Sequence, residues 1–104
     1  MLELRPNCEL CDVDLPPDSV EARICSYECT YCADCVTDVL HNVCPTCGGG
    51  FTSRPIRPQR SWRPELRLGL GFHPAGTDRR QSRFSDEDIA EHVAKIKDIA
   101  PDER

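Results

Sequence analysis

At 104 residues, with nine prolines and 6% aromatic residues, the chain has room for one small domain and an appendage, but not for a large continuous core. Its net charge of −5 is laid out in blocks, −7 over residues 1–50, +6 over residues 51–83 and −4 over residues 84–104, which suits internal docking or a basic strip offered to a partner. No run is long and apolar enough to span a bilayer, and the opening residues, charged at Glu3 and Arg5, do not form a secretory leader; a cytoplasmic chain with reduced thiols and no membrane contact is expected.

The first predicted element is a tight turn at "CELC", residues 8–11. Cys25, Cys29, Cys32 and Cys35 follow, the last three crowded into "ECTYCADC", residues 28–35. Val36, Val39, Leu40 and Val43 then recur at helical spacing, which puts Cys32 and Cys35 at a helix N-terminus, where the dipole favours thiolate charge. "CPTCGG", residues 44–49, is a second turn of the same kind. Both turns look like zinc knuckles, in which backbone amides point at the sulfurs and glycine supplies the turn conformations at low steric cost.

The spacing C-x2-C-x13-C-x3-C-x2-C-x2-C-x8-C-x2-C confines all eight cysteines to residues 8–47. In a reducing compartment this reads as metal ligation rather than disulfide bonding. Eight thiols make two sets of four, the number that closes a structural Zn(II) site, so two Zn(II) per chain are expected. A knuckle facing a cysteine pair at a helix start is the treble-clef arrangement. It assigns Cys8, Cys11, Cys32 and Cys35 to one metal and leaves Cys25, Cys29, Cys44 and Cys47 for the other, an interleaved, cross-brace grouping. Grouping the first four and the last four cysteines is the alternative, and rubredoxin-like iron is the alternative metal. His41, near the second set, reads as a polar helix residue. The candidate core, Leu4, Leu10, Val13, Leu15, Val20, Ile24, Val36, Val39 and Leu40, is too small to fold such a finger without metal. Structural zinc contributes about 10 to 16 kcal/mol per site in peptide models, enough to decide folding.

Beyond the finger (residues 1–52), residues 53–83 hold four prolines and repeated arginine and are expected to be an extended or loop-like linker. Residues 84–101 predict an amphipathic helix: Ser85 as N-cap, Asp88 completing a capping box, Phe84 and Ile89 as a hydrophobic staple, a stripe of Ile89, Val93, Ile96 and Ala100, and Pro101 as the stop. That narrow stripe must dock on the finger, on another copy as a homodimer, or on a partner. His92, beside the stripe, reads as a solvated position, and residues 102–104 are a tail.

The order and spacing of the cysteines resemble the RING finger family in an all-cysteine form, with Cys29 where that family usually has histidine. The stretches "MLELRPNCELCDVDLPPDS", "ARICSYECTYCADCV", "CPTCGG" and "RPIRP" also resemble a family of short bacterial cysteine-rich proteins of unknown function, over a little more than half of the chain. That resemblance implies a bacterial cytosolic protein with bound zinc and supplies no activity. The RING resemblance raises ubiquitin ligation. Leu10 and Pro45 stand where ligases carry contact residues, but Gly48 stands where many have a basic residue, and the finger has no tryptophan.

No nucleophile constellation, phosphate loop or paired carboxylate site stands out, and thiols closed around a metal are poor nucleophiles. The expectation is a small metal-stabilised α+β protein: a binuclear treble-clef or RING-like finger, a linker and a C-terminal amphipathic helix. It is expected to act without catalysis, as a protein interaction or regulatory module with an unknown protein partner. The alternatives are nucleic-acid binding or transcriptional regulation through residues 53–83, with Arg on phosphate and Trp62 stacking on a base, and ligase activity.

Overall fold

Ala22, Arg23 and Ile24 alternate buried, half-buried and buried, and form β1 (Ala22–Ile24) of a short antiparallel hairpin. Its partner β2 (Thr30–Cys32) is buried throughout and pairs in the register Ala22 with Cys32 and Ile24 with Thr30. On the other side of β1, β3 (Thr52–Ser53) adds a third strand, giving the order β2-β1-β3. Residues 1–104 are described by the computed structural model.

Helix α1 (Ala33–Asp38) starts directly from β2, with Cys32 as N-cap; the Cys35 amide donates to the Cys32 sulfur at 3.4 Å. It is shorter than the spacing of Val36, Val39, Leu40 and Val43 predicts. His41 and Asn42 adopt left-handed conformations, φ 46° and 61°, which no right-handed helix continues through. Leu40 and Val43 are nonetheless fully buried, carried inward by the turns that follow.

The core is largely made of sulfur. Six cysteines, Cys8, Cys25, Cys29, Cys32, Cys35 and Cys44, sit among its 14 members, with Leu15, Tyr31, Val36, Leu40, Val43, Ile89 and Val93 around them. Tyr31 meets Phe51 edge to face at 5.5 Å between ring centroids. Three of the expected core residues are on the surface instead: Val13, Val20 and Val39 are 49%, 72% and 47% exposed. A finger this thin has too little interior for them, and the room goes to Tyr31 and to two residues from the far end of the chain.

Those two belong to α2 (Asp86–Ile96). Ser85 caps it, accepting from the Asp88 amide at 3.1 Å while the Asp88 carboxylate accepts from the Ser85 amide. Of the three docking modes open to its stripe, the structure takes the first: Ile89 and Val93 are buried in the finger's own core. The helix stops at Ile96, before the expected 101. Lys97 and Ile99 close turns onto Val93 and Ile96, and Ala100 is already extended, as a residue preceding proline prefers.

After Ser53, which still belongs to β3, the expected linker is irregular up to residue 83 apart from a 3-10 turn at Pro64–Leu66, and much of it is tied to the finger. Arg54 is only 4% exposed and donates to the carbonyls of Arg5, Leu15 and Pro16. Arg57 donates to Leu2 and His73 carbonyls, Arg79 pairs with Asp12 and Asp14, and Arg80 pairs with Glu3. The alternating charge blocks are thus partly neutralised within the chain.

Candidate metal centre

Two turns from opposite ends of the finger are built alike. In the first, the Asp12 amide donates to Cys8 O at 3.0 Å and the Cys8 amide to Val13 O at 2.9 Å. In the second, the Gly48 amide donates to Cys44 O at 2.9 Å and the Cys44 amide to Gly49 O at 2.8 Å. The residue after the second cysteine is left-handed in both, Asp12 at φ 66° and Gly48 at φ 78°. Aspartate tolerates that conformation better than most side chains, which lets the first turn do without the glycine of the second.

The first turn faces the start of α1. There Cys8, Cys11, Cys32 and Cys35 bring their sulfurs within 4.8 Å of one another, and Cys11 and Cys32 stand 3.8 Å apart. Four thiolates about 2.3 Å from a tetrahedral ion would be separated by about 3.8 Å. The donor set and its spacing therefore fit a thiophilic ion without rearrangement of the backbone.

The second turn meets the hairpin. Cys25, at the end of β1, joins Cys44 and Cys47 in a set with the same 4.8 Å limit. Cys29 is buried in the same core and its carbonyl accepts from the Cys25 amide at 3.2 Å, but its sulfur lies outside that mutual limit. The structure thus forms the interleaved grouping, and the alternative of first four and last four is not formed. His41 joins neither set and is exposed.

Backbone amides serve the sulfurs in both clusters. Tyr27 N donates to Cys25 at 3.3 Å and Gly49 N to Cys47 at 3.3 Å, in addition to the Cys35 to Cys32 bond. Such donors favour thiolate over thiol. Crowding then divides the protons unequally. Hydrogen bonds from Cys44 and Cys25 bring Cys29 down to about 6, whereas burial pushes Cys25 up to about 11. Donation to Cys29, and then burial, raises Cys44; burial raises Cys35 and Cys32. Partial burial opposes ionisation of Cys11, but bonds from the Val13 amide and neighbouring thiols lower it overall. Each cluster holds protons that a divalent cation would displace.

Sequence reasoning missed a residue that supports the second turn. His92, expected to be solvated, is half-buried, with Nε2 3.0 Å from Cys44 O. Arg104, assigned to a tail, donates to Asn42 O at 2.7 Å and Gly48 O at 3.1 Å. The clue available in the sequence was the place of His92 beside the apolar stripe, which lies on the finger.

Residues 1–57 match the protein family described as "Protein of unknown function (DUF1272)". The chain belongs to this family. An uncharacterized protein of Rhizobium meliloti (strain 1021) is 60% identical over 58 residues, which cover 56% of this chain and 69% of that relative. The matched segment contains all eight cysteines, both turns and Arg54. No solved structure matches the chain. No helix is long and apolar enough to cross a membrane.

Proposed function

We propose that this DUF1272 protein is a cytoplasmic, zinc-stabilised interaction module that works without catalysis, presenting surfaces to a protein partner around two Zn(II) ions. The observation that carries the reading is the first cluster, four cysteine sulfurs within 4.8 Å including a pair at 3.8 Å. Such a set closes a tetrahedral site and leaves no position for a reacting water. Cys8, Cys11, Cys32 and Cys35 hold one ion. Cys25, Cys44 and Cys47 hold the other, completed by Cys29. A turn facing a cysteine-capped helix, with a hairpin between, supports a treble-clef description, and the interleaving supports the RING-like one. Pro45 is buried and Leu10 half-buried, which favours packing roles over contact with a conjugating enzyme.

Native mass spectrometry with elemental analysis, on protein purified without added metal, tests the reading. Two zinc ions per chain are expected. Iron with visible absorbance would mean electron transfer, and eight lost hydrogens without metal would mean disulfides; either result overturns the proposal.

The nucleic-acid reading draws on Trp62, 76% exposed, but Arg54, Arg57, Arg79 and Arg80 are already engaged within the chain. Fewer cations are left for phosphate than the sequence promises.

A further inference from the structure

Eight arginines lie between residues 51 and 83. Arg54 and Arg57 bind carbonyls, Arg79 and Arg80 bind carboxylates, and Arg83 lies 5.3 Å over the Phe84 ring. The remaining three, Arg60, Arg63 and Arg67, enter none of the ion pairs and donate no side-chain hydrogen bond. All three fall in one closed loop.

That loop runs from Pro58 to His73. Its neck is held by Leu70 N on Pro58 O at 2.9 Å and by Arg57 Nη1 on His73 O at 2.8 Å. Within it, Leu66 and Arg67 amides bond to Arg63 and Pro64, Phe72 and His73 amides bond to Gly69, and the Ser61 hydroxyl links Arg63 O with Leu68 N. Gly69 is buried at φ 98°, and a Cβ there would stand 2.9 Å from Arg60 O, so the two limbs close only on glycine. The loop has the self-packed character of an Ω-loop and needs no partner to complete its backbone bonds. It nevertheless displays four large apolar side chains: Trp62, Leu66, Leu68 and Phe72 are 76%, 56%, 52% and 53% exposed. Apolar groups gathered in one loop among unpaired cations mark an interaction surface whose counterpart is apolar and acidic.

The same chain carries such a counterpart. Beside the first cysteine cluster is a groove of about 580 Å³ whose lining includes half-exposed Val13 and the carboxylates Glu21 and Asp34. Neither Glu21 nor Asp34 is in an ion pair. Nothing from the loop reaches these carboxylates within one chain.

We propose that the Pro58–His73 loop of one copy docks in the Val13–Asp34 groove of a second copy, with Arg60, Arg63 and Arg67 meeting carboxylates and Trp62 and the leucines covering Val13. This rests on the reading of the chain as an interaction module and names the partner. Leu66 and Leu68 offer no stacking face, which sets the loop apart from a single-strand platform. The contact joins unlike surfaces, so reciprocal exchange closes a dimer and one-way exchange extends a chain.

Sedimentation velocity on the full, metal-replete chain tests this, together with two charge reversals: Arg60→Glu/Arg63→Glu/Arg67→Glu in the loop and Glu21→Lys/Asp34→Lys in the groove. Wild type is expected to associate with rising concentration, less so at high salt, with a blue shift of its single tryptophan. Each reversal alone should weaken association by more than about tenfold, and an equimolar mixture of the two should restore it. The metal content of each sample is measured alongside. Loss of metal is a failure of the finger, whereas a monomeric wild type with two metals bound overturns the contact alone. So does a loop variant that still associates, or a mixture of two metal-replete variants that stays monomeric. Retention of single-stranded RNA by a monomeric wild type, lost in the loop variant, would assign the loop to nucleic acid instead.

Discussion

Arg54 shows how one side chain can replace a secondary-structure element. Its guanidinium satisfies carbonyls of Arg5, Leu15 and Pro16, on two segments that the backbone joins only by the Asn7–Asp14 bridge and the Leu15 amide on Pro6 O. Burial lowers its pKa without a carboxylate nearby to offset it, and its Nε has no partner. Removing the side chain leaves three acceptors to be resolvated or orphaned. Arg54→Met, close in volume, is expected to lower stability by about 3 kcal/mol, read as a fall in denaturation midpoint at constant free zinc. Arg79→Ala, which removes an exposed pairing, should leave the midpoint nearly unchanged. Equal midpoints for Arg54→Met and wild type would show that the buried bonds are dispensable. Gly48 makes a second case. Its φ of 78° and the Ile96 Cδ1 atom, 3.3 Å from where a Cβ would stand, should make Gly48→Ala cost about 1 to 2 kcal/mol.

Helix α2 lies outside the family-matched residues, yet it completes the finger's core. Ile89 and Val93 join the same core as Leu40 and Val43, and His92 holds the second turn by the Cys44 carbonyl. A merely appended helix could be mutated without consequence for the finger. Here Ile89→Ala should lower the unfolding midpoint of the finger by about 2 to 5 kcal/mol equivalent, and Ser85→Ala by about 1. Circular dichroism and thiol reactivity should shift together. A finger whose thiols stay equally protected in Ile89→Ala would refute the coupling. The contrast with what the sequence reveals is physical. Ser85, Asp88 and the Ile89/Val93 stripe were legible because a capping box and a helical period are local patterns. The eight cysteines and their interleaving were legible because ligand number and turn chemistry constrain them. The docking of α2, the burial of Arg54 and the exposure of Val13, Val20 and Val39 depend on contacts across tens of residues, which no local pattern encodes. The early end of α1 lay in the conformations of His41 and Asn42, and only glycine announces a left-handed residue reliably from sequence.

The hairpin makes the two clusters interdependent. Cys25 directly follows β1 and belongs to the second cluster, while Cys32 ends β2 and belongs to the first, and Cys29 lies between them in sequence. Strands of three residues have little stability of their own. Six of the 14 core residues are thiols, and burial opposes the ionisation of Cys25, Cys32, Cys35 and Cys44 unless a cation compensates. With an ion in each cluster, as proposed, loss of either would loosen the strand pair that positions ligands for the other. A chelator titration is expected to remove both metals, collapse the circular dichroism and expose the eight thiols in a single transition. Cys11→Ser, which touches only the first cluster, should weaken metal binding at the second as well, by about tenfold or more given ~1.4 kcal/mol for each factor of ten. Release of one ion with the fold intact, or a Cys11→Ser protein that binds its remaining ion as tightly as wild type, would mean that each cluster stands alone.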